Sequence, residues 1–231
     1  MAGRESTNLP KSDESIIILG NSFSRDLYHL LYEAYPEIRN ALSYKIETSI
    51  IKHLDKLKHS TDYLPTECNK VIISQRYFDK DVENLIKISL LLQKRNIHLC
   101  IILNPHEFPE FGSRTLVDKT IKPLLNDRDV NSNTEANILS LNKIHFNDYI
   151  TNYNRRNVHS DINSHLINFC KSNNIEYFIR ETYYNKGDTL LVAGSNYEKV
   201  FFDYGHVTTF GIIYHSSLIR KNKWMQQYLL R

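Results

Sequence analysis

Three short runs of uninterrupted apolar residues, each next to a stretch of helical periodicity, constrain the fold more than any other feature of this chain. Ile16-Ile17-Ile18-Leu19, Val71-Ile72-Ile73 and His98-Leu99-Cys100-Ile101-Ile102-Leu103 read as strands covered on both faces. Leu27, Leu30, Leu31 and Ala34 recur at helical spacing over Ser24 to Ala34, and Tyr35-Pro36 stops that helix. Val82, Leu85, Ile86 and Leu92 give a second helix from Asp81 to Arg95, directly before the third apolar run. Strand, helix and strand in this order predict a parallel βαβ unit. Ile50, Ile51, Leu54 and Leu57 mark another helical face; Leu116–Leu125 is helical in pattern, and Asn126 to Glu135 is polar, as in a surface loop. Val158, Ile162, Leu166 and Phe169 predict a helix, Ile175–Ile179 a strand, Val200-Phe201-Phe202 a short extended segment and Thr209–Ile219 a last helix. The expectation is an α/β protein, a three-layer α/β/α sandwich with a mostly parallel central sheet. Residues 1–14 read as a flexible leader and 15–231 as a single domain.

Composition narrows the function classes. With 231 residues the chain can bury one large core, and 41% hydrophobic and 24% charged residues are ordinary globular values. A formal charge of +3 with scattered basic residues leaves no electrostatic footprint for nucleic acid. Cys68, Cys100 and Cys170 form no C-x-x-C pair, so neither a disulfide framework nor a structural zinc site is expected. Met1 to Glu14 lacks an apolar signal region, and no apolar run approaches the roughly 18–20 residues that span a bilayer. A cytoplasmic location is the default, replaced by a periplasmic one if the chain is part of a membrane protein. His106-Glu107 lacks the second histidine of a zinc-protease helix, and no glycine-rich phosphate cradle occurs, so no metal and no bound cofactor are expected.

The chemistry is expected where strands hand over to helices, at the carboxyl edge of a parallel sheet. The first handover is Gly20-Asn21-Ser22-Phe23-Ser24. A serine at the mouth of a helix can attack a carbonyl while its own N–H holds the developing oxyanion. The plainer reading makes Ser22 or Ser24 a helix cap. The second constellation is Asp203-Tyr204-Gly205-His206, a glycine-containing turn that opens the last helix. There Asp203 can accept from one imidazole nitrogen of His206, leaving the other to take a proton from serine. His106, in Asn104-Pro105-His106-Glu107-Phe108-Pro109-Glu110 after the third buried strand, is a lesser candidate base at the rim of the same edge.

Together the two blocks resemble the SGNH, or GDSL-like, hydrolase superfamily, whose first block is Gly-Asp-Ser and whose last is Asp-x-x-His. The likeness is strongest to the SGNH domains linked to acyltransferase-3 membrane proteins that O-acetylate bacterial glycans. Their last block reads Asp-x-x-His-Leu-[Ser/Thr]-x-x-Gly; here it is Asp203-Tyr204-Gly205-His206-Val207-Thr208-Thr209-Phe210-Gly211. Asn21 replaces the usual aspartate of the first block. The second-block glycine has no clear counterpart, the region of Ser43 being nearest, and the third block falls on Ser74-Gln75-Arg76. The resemblance implies an SGNH-hydrolase-like, flavodoxin-like fold and a Ser22 acyl-enzyme with His206 as base and Asp203 as its orienting acid. It further implies Ser74, Arg76 and Asn21 as oxyanion or substrate contacts, a glycan substrate, and O-acetyl transfer as the reaction. The acetyl donor would then be acetyl-CoA or an acetylated partner, with a membrane acyltransferase as the partner protein. Carbohydrate O-acetylester hydrolysis, or a catalytically silent module that binds glycan or a partner, are the alternatives.

Overall fold

A computed structural model describes residues 15–104, 110–111, 114–115, 138–143, 158–180, 185–186, 189–203 and 205–230. Its frame is a sheet of five strands: β1 (Ser15–Gly20), β2 (Leu42–Ile46), β3 (Cys68–Ser74), β4 (His98–Ile102) and β5 (Glu176–Phe178). They lie in the order β2-β1-β3-β4-β5, and every pairing is parallel. Helices α1 (Ser22–Ala34), α2 (Ile50–His59), α3 (Asp79–Lys94), α4 (Val158–Ser172), α5 (Thr209–Ile219) and α6 (Lys223–Leu230) complete the frame. Two two-stranded hairpins, Glu110–Phe111 with Arg114–Thr115 and Asn185–Lys186 with Thr189–Leu190, lie outside the main sheet.

Side chains alternate across a strand, so the central strands feed two cores. Ile16, Ile18, Ile72, Cys100, Ile102 and Phe178 pack with Leu27, Leu30 and Leu31 of α1 and with Ile219 and Met225 of α5 and α6. Ile17, Leu19, Val71, Ile73, Leu99 and Ile101 face the other way, against Leu54 of α2, Leu85 and Ile88 of α3, and Leu166 of α4. Two covered faces make the three-layer α/β/α sandwich that the apolar runs predict. Among the described residues no helix is long and apolar enough to cross a membrane.

Two elements differ from the sequence expectation. β2 is an edge strand paired only with β1, and its burial fades from Leu42–Tyr44 to a half-buried Lys45 and an exposed Ile46. Such a mixed Leu-Ser-Tyr-Lys-Ile pattern carries no continuous apolar signal. α6 is a short helix that seats Met225, Tyr228 and Leu229 on the core. The segments 1–14, 116–125 and 126–135, and His106, fall outside the described residues.

A candidate serine active site

Gly20 ends β1 with φ +154°, a backbone geometry that side-chain-bearing residues rarely adopt, and a β-carbon there would lie 2.0 Å from the Ser74 carbonyl oxygen. Glycine therefore lets β1 pass close to β3 at the point where the chain turns into α1. Asn21 caps that helix, its Oδ1 accepting the Phe23 N–H at 3.1 Å, while its backbone carbonyl accepts the Ser24 N–H at 2.9 Å. The cap is thus neither Ser22 nor Ser24. Ser22 is the first residue of α1, and its hydroxyl is left to another partner.

That partner is His206. The Ser22 Oγ lies 3.0 Å from His206 Nε2, across 184 positions of sequence. The other ring nitrogen, Nδ1, is 2.6 Å from Oδ2 of Asp26. A carboxylate can only accept, so Nδ1 carries the proton and Nε2 is left to accept from the serine hydroxyl. Asp26 is 5% exposed, and the imidazole stacks on the Phe23 ring at a centroid distance of 4.4 Å. Ser22 and Asp26 stand four residues apart on α1, so one helix face presents a hydroxyl and, one turn on, a carboxylate. The histidine reaches across from the loop before α5, which packs along α1.

The expectation for Asp203 is corrected at this point. Its Oδ1 accepts the backbone N–H groups of Gly205 at 3.0 Å and His206 at 2.8 Å. Two donors of its own turn hold the carboxylate, and the imidazole turns instead toward α1. Asp203 holds the backbone that carries His206; Asp26 meets the ring. The turn is braced further where the Phe202 N–H donates to the His206 carbonyl at 2.7 Å.

Ser74 has partners within the fold as well. It is fully buried, donates its one hydroxyl proton to the Phe23 carbonyl at 3.3 Å, and accepts from an Arg180 guanidinium nitrogen at 2.9 Å. Ser43 lies within β2 and is buried, not in a turn at the carboxyl edge. Arg76 is half-buried with its guanidinium 5.9 Å from the Phe78 ring centre. Asn21 serves as the cap through Oδ1. The Ser22 N–H, at the first position of the helix, has no acceptor among the described residues, and it points as helix-mouth N–H groups do toward incoming negative charge.

Two residues beneath the site carry no signal in the sequence. Arg180, just beyond β5, is 1% exposed and places its guanidinium 5.0 Å from the centre of the Phe23 ring, adding a fixed positive charge under the Gly20–Ser24 turn. His53 of α2 is fully buried; its Nε2–H donates to the Gly20 carbonyl at 3.1 Å, and its Nδ1 accepts from the Tyr63 hydroxyl at 2.6 Å. Burial pushes the His53 pKa down to about 4, against the opposing pull of the Gly20 hydrogen bond. In the unfolded chain His53 takes up its proton near pH 6.5, so its contribution to stability is complete above that pH. It declines as pH falls toward 4 and is flat below. The expected loss is about 3 kcal/mol between pH 7 and pH 4. Urea unfolding at the two pH values should show that loss in the wild type, and a His53→Gln variant should lose about 3 kcal/mol less over the same interval.

No protein-family model matches the chain, and no curated protein matches it. Solved structures do match it, among them the following two. A protein from Bacteroides fragilis NCTC 9343, assigned as an acylhydrolase, aligns with TM-score 0.51 and 16% identity over 96% of this chain and 91% of its own. A GDSL-like lipase from Bacteroides thetaiotaomicron VPI-5482 aligns with TM-score 0.51 and 14% identity, over 94% of this chain and 90% of its own. At such identities the likeness speaks for architecture alone: this chain shares the α/β/α fold of these two proteins.

Proposed function

We propose that the protein is a serine-dependent acyl-ester hydrolase with Ser22 as nucleophile. The observation that carries this reading is the line Ser22 Oγ to His206 Nε2 to Asp26, with contacts of 3.0 and 2.6 Å. His206 Nε2 takes the Ser22 proton as Oγ bonds to the ester carbonyl carbon, and Asp26 holds the ring and stabilises the imidazolium. The Ser22 N–H faces the resulting oxyanion; one such donor contributes about 3–4 kcal/mol of transition-state stabilisation. As the carbon–oxygen bond of the ester breaks, the imidazolium returns its proton to the leaving alkoxide, giving an acyl-Ser22 and a free alcohol. Water then loses a proton to Nε2, attacks the acyl carbon and releases the acid, and Ser22 regains its proton.

A second reading, O-acetyl transfer to a glycan, differs only in the last acceptor: a sugar hydroxyl replaces water. Phe202 supports a carbohydrate ligand, since this large ring sits on the His206 turn and is 68% exposed, the kind of surface on which sugar C–H faces stack. The acetyl donor would be acetyl-CoA or an acetylated partner, a membrane acyltransferase among them.

A fluorophosphonate probe tests the first reading directly. Labelling should be stoichiometric and map by mass spectrometry to Ser22, and it should vanish in His206→Ala. Labelling at any other serine, or none, overturns the assignment. Turnover of 4-nitrophenyl acetate with added sugars separates the two acceptors: acetylated sugar favours transfer, acetate alone hydrolysis.

A further inference from the structure

Four parts of the fold converge on the ring of Phe23. It belongs to α1, next in sequence to Ser22, and is buried. The His206 imidazole, from the loop before α5, stacks on it at 4.4 Å with 24° between the planes. Arg180, just beyond β5, sets its guanidinium 5.0 Å from the centre of the same ring. Ser74, the last residue of β3, ties the two together: its Oγ accepts from Arg180 Nη2 at 2.9 Å and donates to the Phe23 carbonyl at 3.3 Å. One buried arginine therefore meets residue 23 twice, at its ring and, through Ser74, at its backbone.

Burying a guanidinium is costly, and an apolar side chain of similar volume is often as stabilising. What the arginine alone supplies is geometry, a planar fork with donors at fixed angles and a flat face that lies against rings. The imidazole needs a fixed surface of that kind. Its Nδ1 is held by Asp26 at 2.6 Å and its Nε2 meets Ser22 at 3.0 Å. Neither bond resists a tilt of the ring about the line that joins the two nitrogens. The lone pair of Nε2 lies in the plane of the ring, so a tilt aims it away from the serine proton. A surface packed against the face of the imidazole stops the tilt, and Phe23 is that surface.

We infer that Phe23 and Arg180 are positioning residues for His206: Phe23 fixes the tilt of the imidazole, and Arg180 fixes Phe23. The consequence for turnover rests on the serine-hydrolase reading; the hold on the ring does not.

Two readouts on the full chain test this, and the first needs no turnover. It is the proton resonance of the His206 Nδ1–H, identified by its loss in His206→Ala. The resonance should be sharp in the wild type and in Phe23→Tyr, which keeps the ring. It should be broadened or lost in Phe23→Leu and in Arg180→Met, where the imidazole tilts and the proton exchanges with water. The second readout is kcat for 4-nitrophenyl acetate. Phe23→Leu should lower it about a hundredfold, the scale of a one-ångström misplacement, with KM within about twofold, and Phe23→Tyr should stay within about fivefold of wild type. Arg180→Met should lower kcat about tenfold in the wild-type background and not at all beside Phe23→Leu, because the ring it acts through is then gone. An arginine that only stabilises the fold gives the same factor in both backgrounds. The inference fails if the wild-type resonance is already broad, if Phe23→Leu or Arg180→Met leaves it sharp, or if Arg180→Met changes kcat equally in both backgrounds. Should a variant not fold, Phe23→Met or Arg180→Lys, which keeps the charge but not the fork, replaces it in both readouts. A wild type without turnover overturns the serine-hydrolase reading instead, and the resonance then decides the inference alone.

Discussion

Asp26→Asn should lower kcat for 4-nitrophenyl acetate about ten-thousand-fold while leaving KM nearly unchanged, the size of loss seen when the histidine-orienting aspartate of serine proteases is neutralised the same way. The cause is tautomeric. An asparagine at 26 can turn its amide N–H toward His206 Nδ1, which then becomes an acceptor and moves the ring proton to Nε2, the atom 3.0 Å from the Ser22 hydroxyl. A protonated Nε2 cannot receive the serine proton. Asp203→Asn should behave otherwise, because an amide oxygen can still accept the Gly205 and His206 backbone N–H groups that Oδ1 accepts now. Its kcat should stay within about tenfold of wild type. Asp203→Ala removes the acceptor for both N–H groups and should cost about 1–3 kcal/mol of stability along with activity, through a loosened turn. The paired measurement is decisive: a large loss in Asp203→Asn with near-normal turnover in Asp26→Asn would return the acid's role to Asp203.

The sequence carries the frame of this fold well, for a physical reason. β1, β3 and β4 are covered on both faces, so each must be apolar at successive positions, and such runs stand out. Ile17, Ile18, Leu19, Val71, Ile72 and Ile73 are all fully buried. β2 escapes notice because an edge strand is covered less evenly: Leu42, Ser43 and Tyr44 are buried while Ile46 is 40% exposed. Pairing with β1 holds its backbone in place, and only Leu42 and Tyr44 of its side chains join the core.

At the site the same contrast appears. Ser22 and His206 are legible because each sits in a local motif, and the fold brings them within hydrogen-bonding distance. The carboxylate is another matter. Asp203, three residues before His206, looks like the acid from spacing alone, yet spacing cannot say whether a carboxylate will accept from an imidazole or from its own turn. The clue to Asp26 was present in α1. It lies one helical turn from Ser22 and beside the stripe of Phe23, Leu27 and Leu30, where a charged residue has no place unless something answers it. Arg180 and His53 offer no such clue. Their positions beneath the Gly20–Ser24 turn depend on contacts 106 positions away, to Ser74, and 33 positions away, to Gly20.

That turn is also where a single methyl group should do the most harm. In Gly20→Ala the new β-carbon would stand 2.0 Å from the Ser74 carbonyl oxygen and 2.8 Å from its carbon, both backbone atoms of β3. Neither can rotate away, because β1 is hydrogen-bonded on both sides, to β2 and to β3. The φ of +154° adds backbone strain for any residue with a side chain. Relief requires the strand end to move, and the Gly20 carbonyl would carry His53 and the Glu47 N–H with it. The expected cost is about 4 kcal/mol or more, seen as a fall of roughly 8–16 °C in Tm. Activity should fall further than stability accounts for, since Ser22 is two residues on. Gly194→Ala is the control. Its β-carbon would also come close to other atoms, 2.5 Å from the Phe210 ring and 2.7 Å from a Glu198 carboxylate oxygen, but these are side-chain ends that can swing aside. A Gly20→Ala protein as stable as Gly194→Ala, with wild-type turnover, would mean that β1 and β3 have room between them and that the Gly20–Ser24 turn is not held by their close approach.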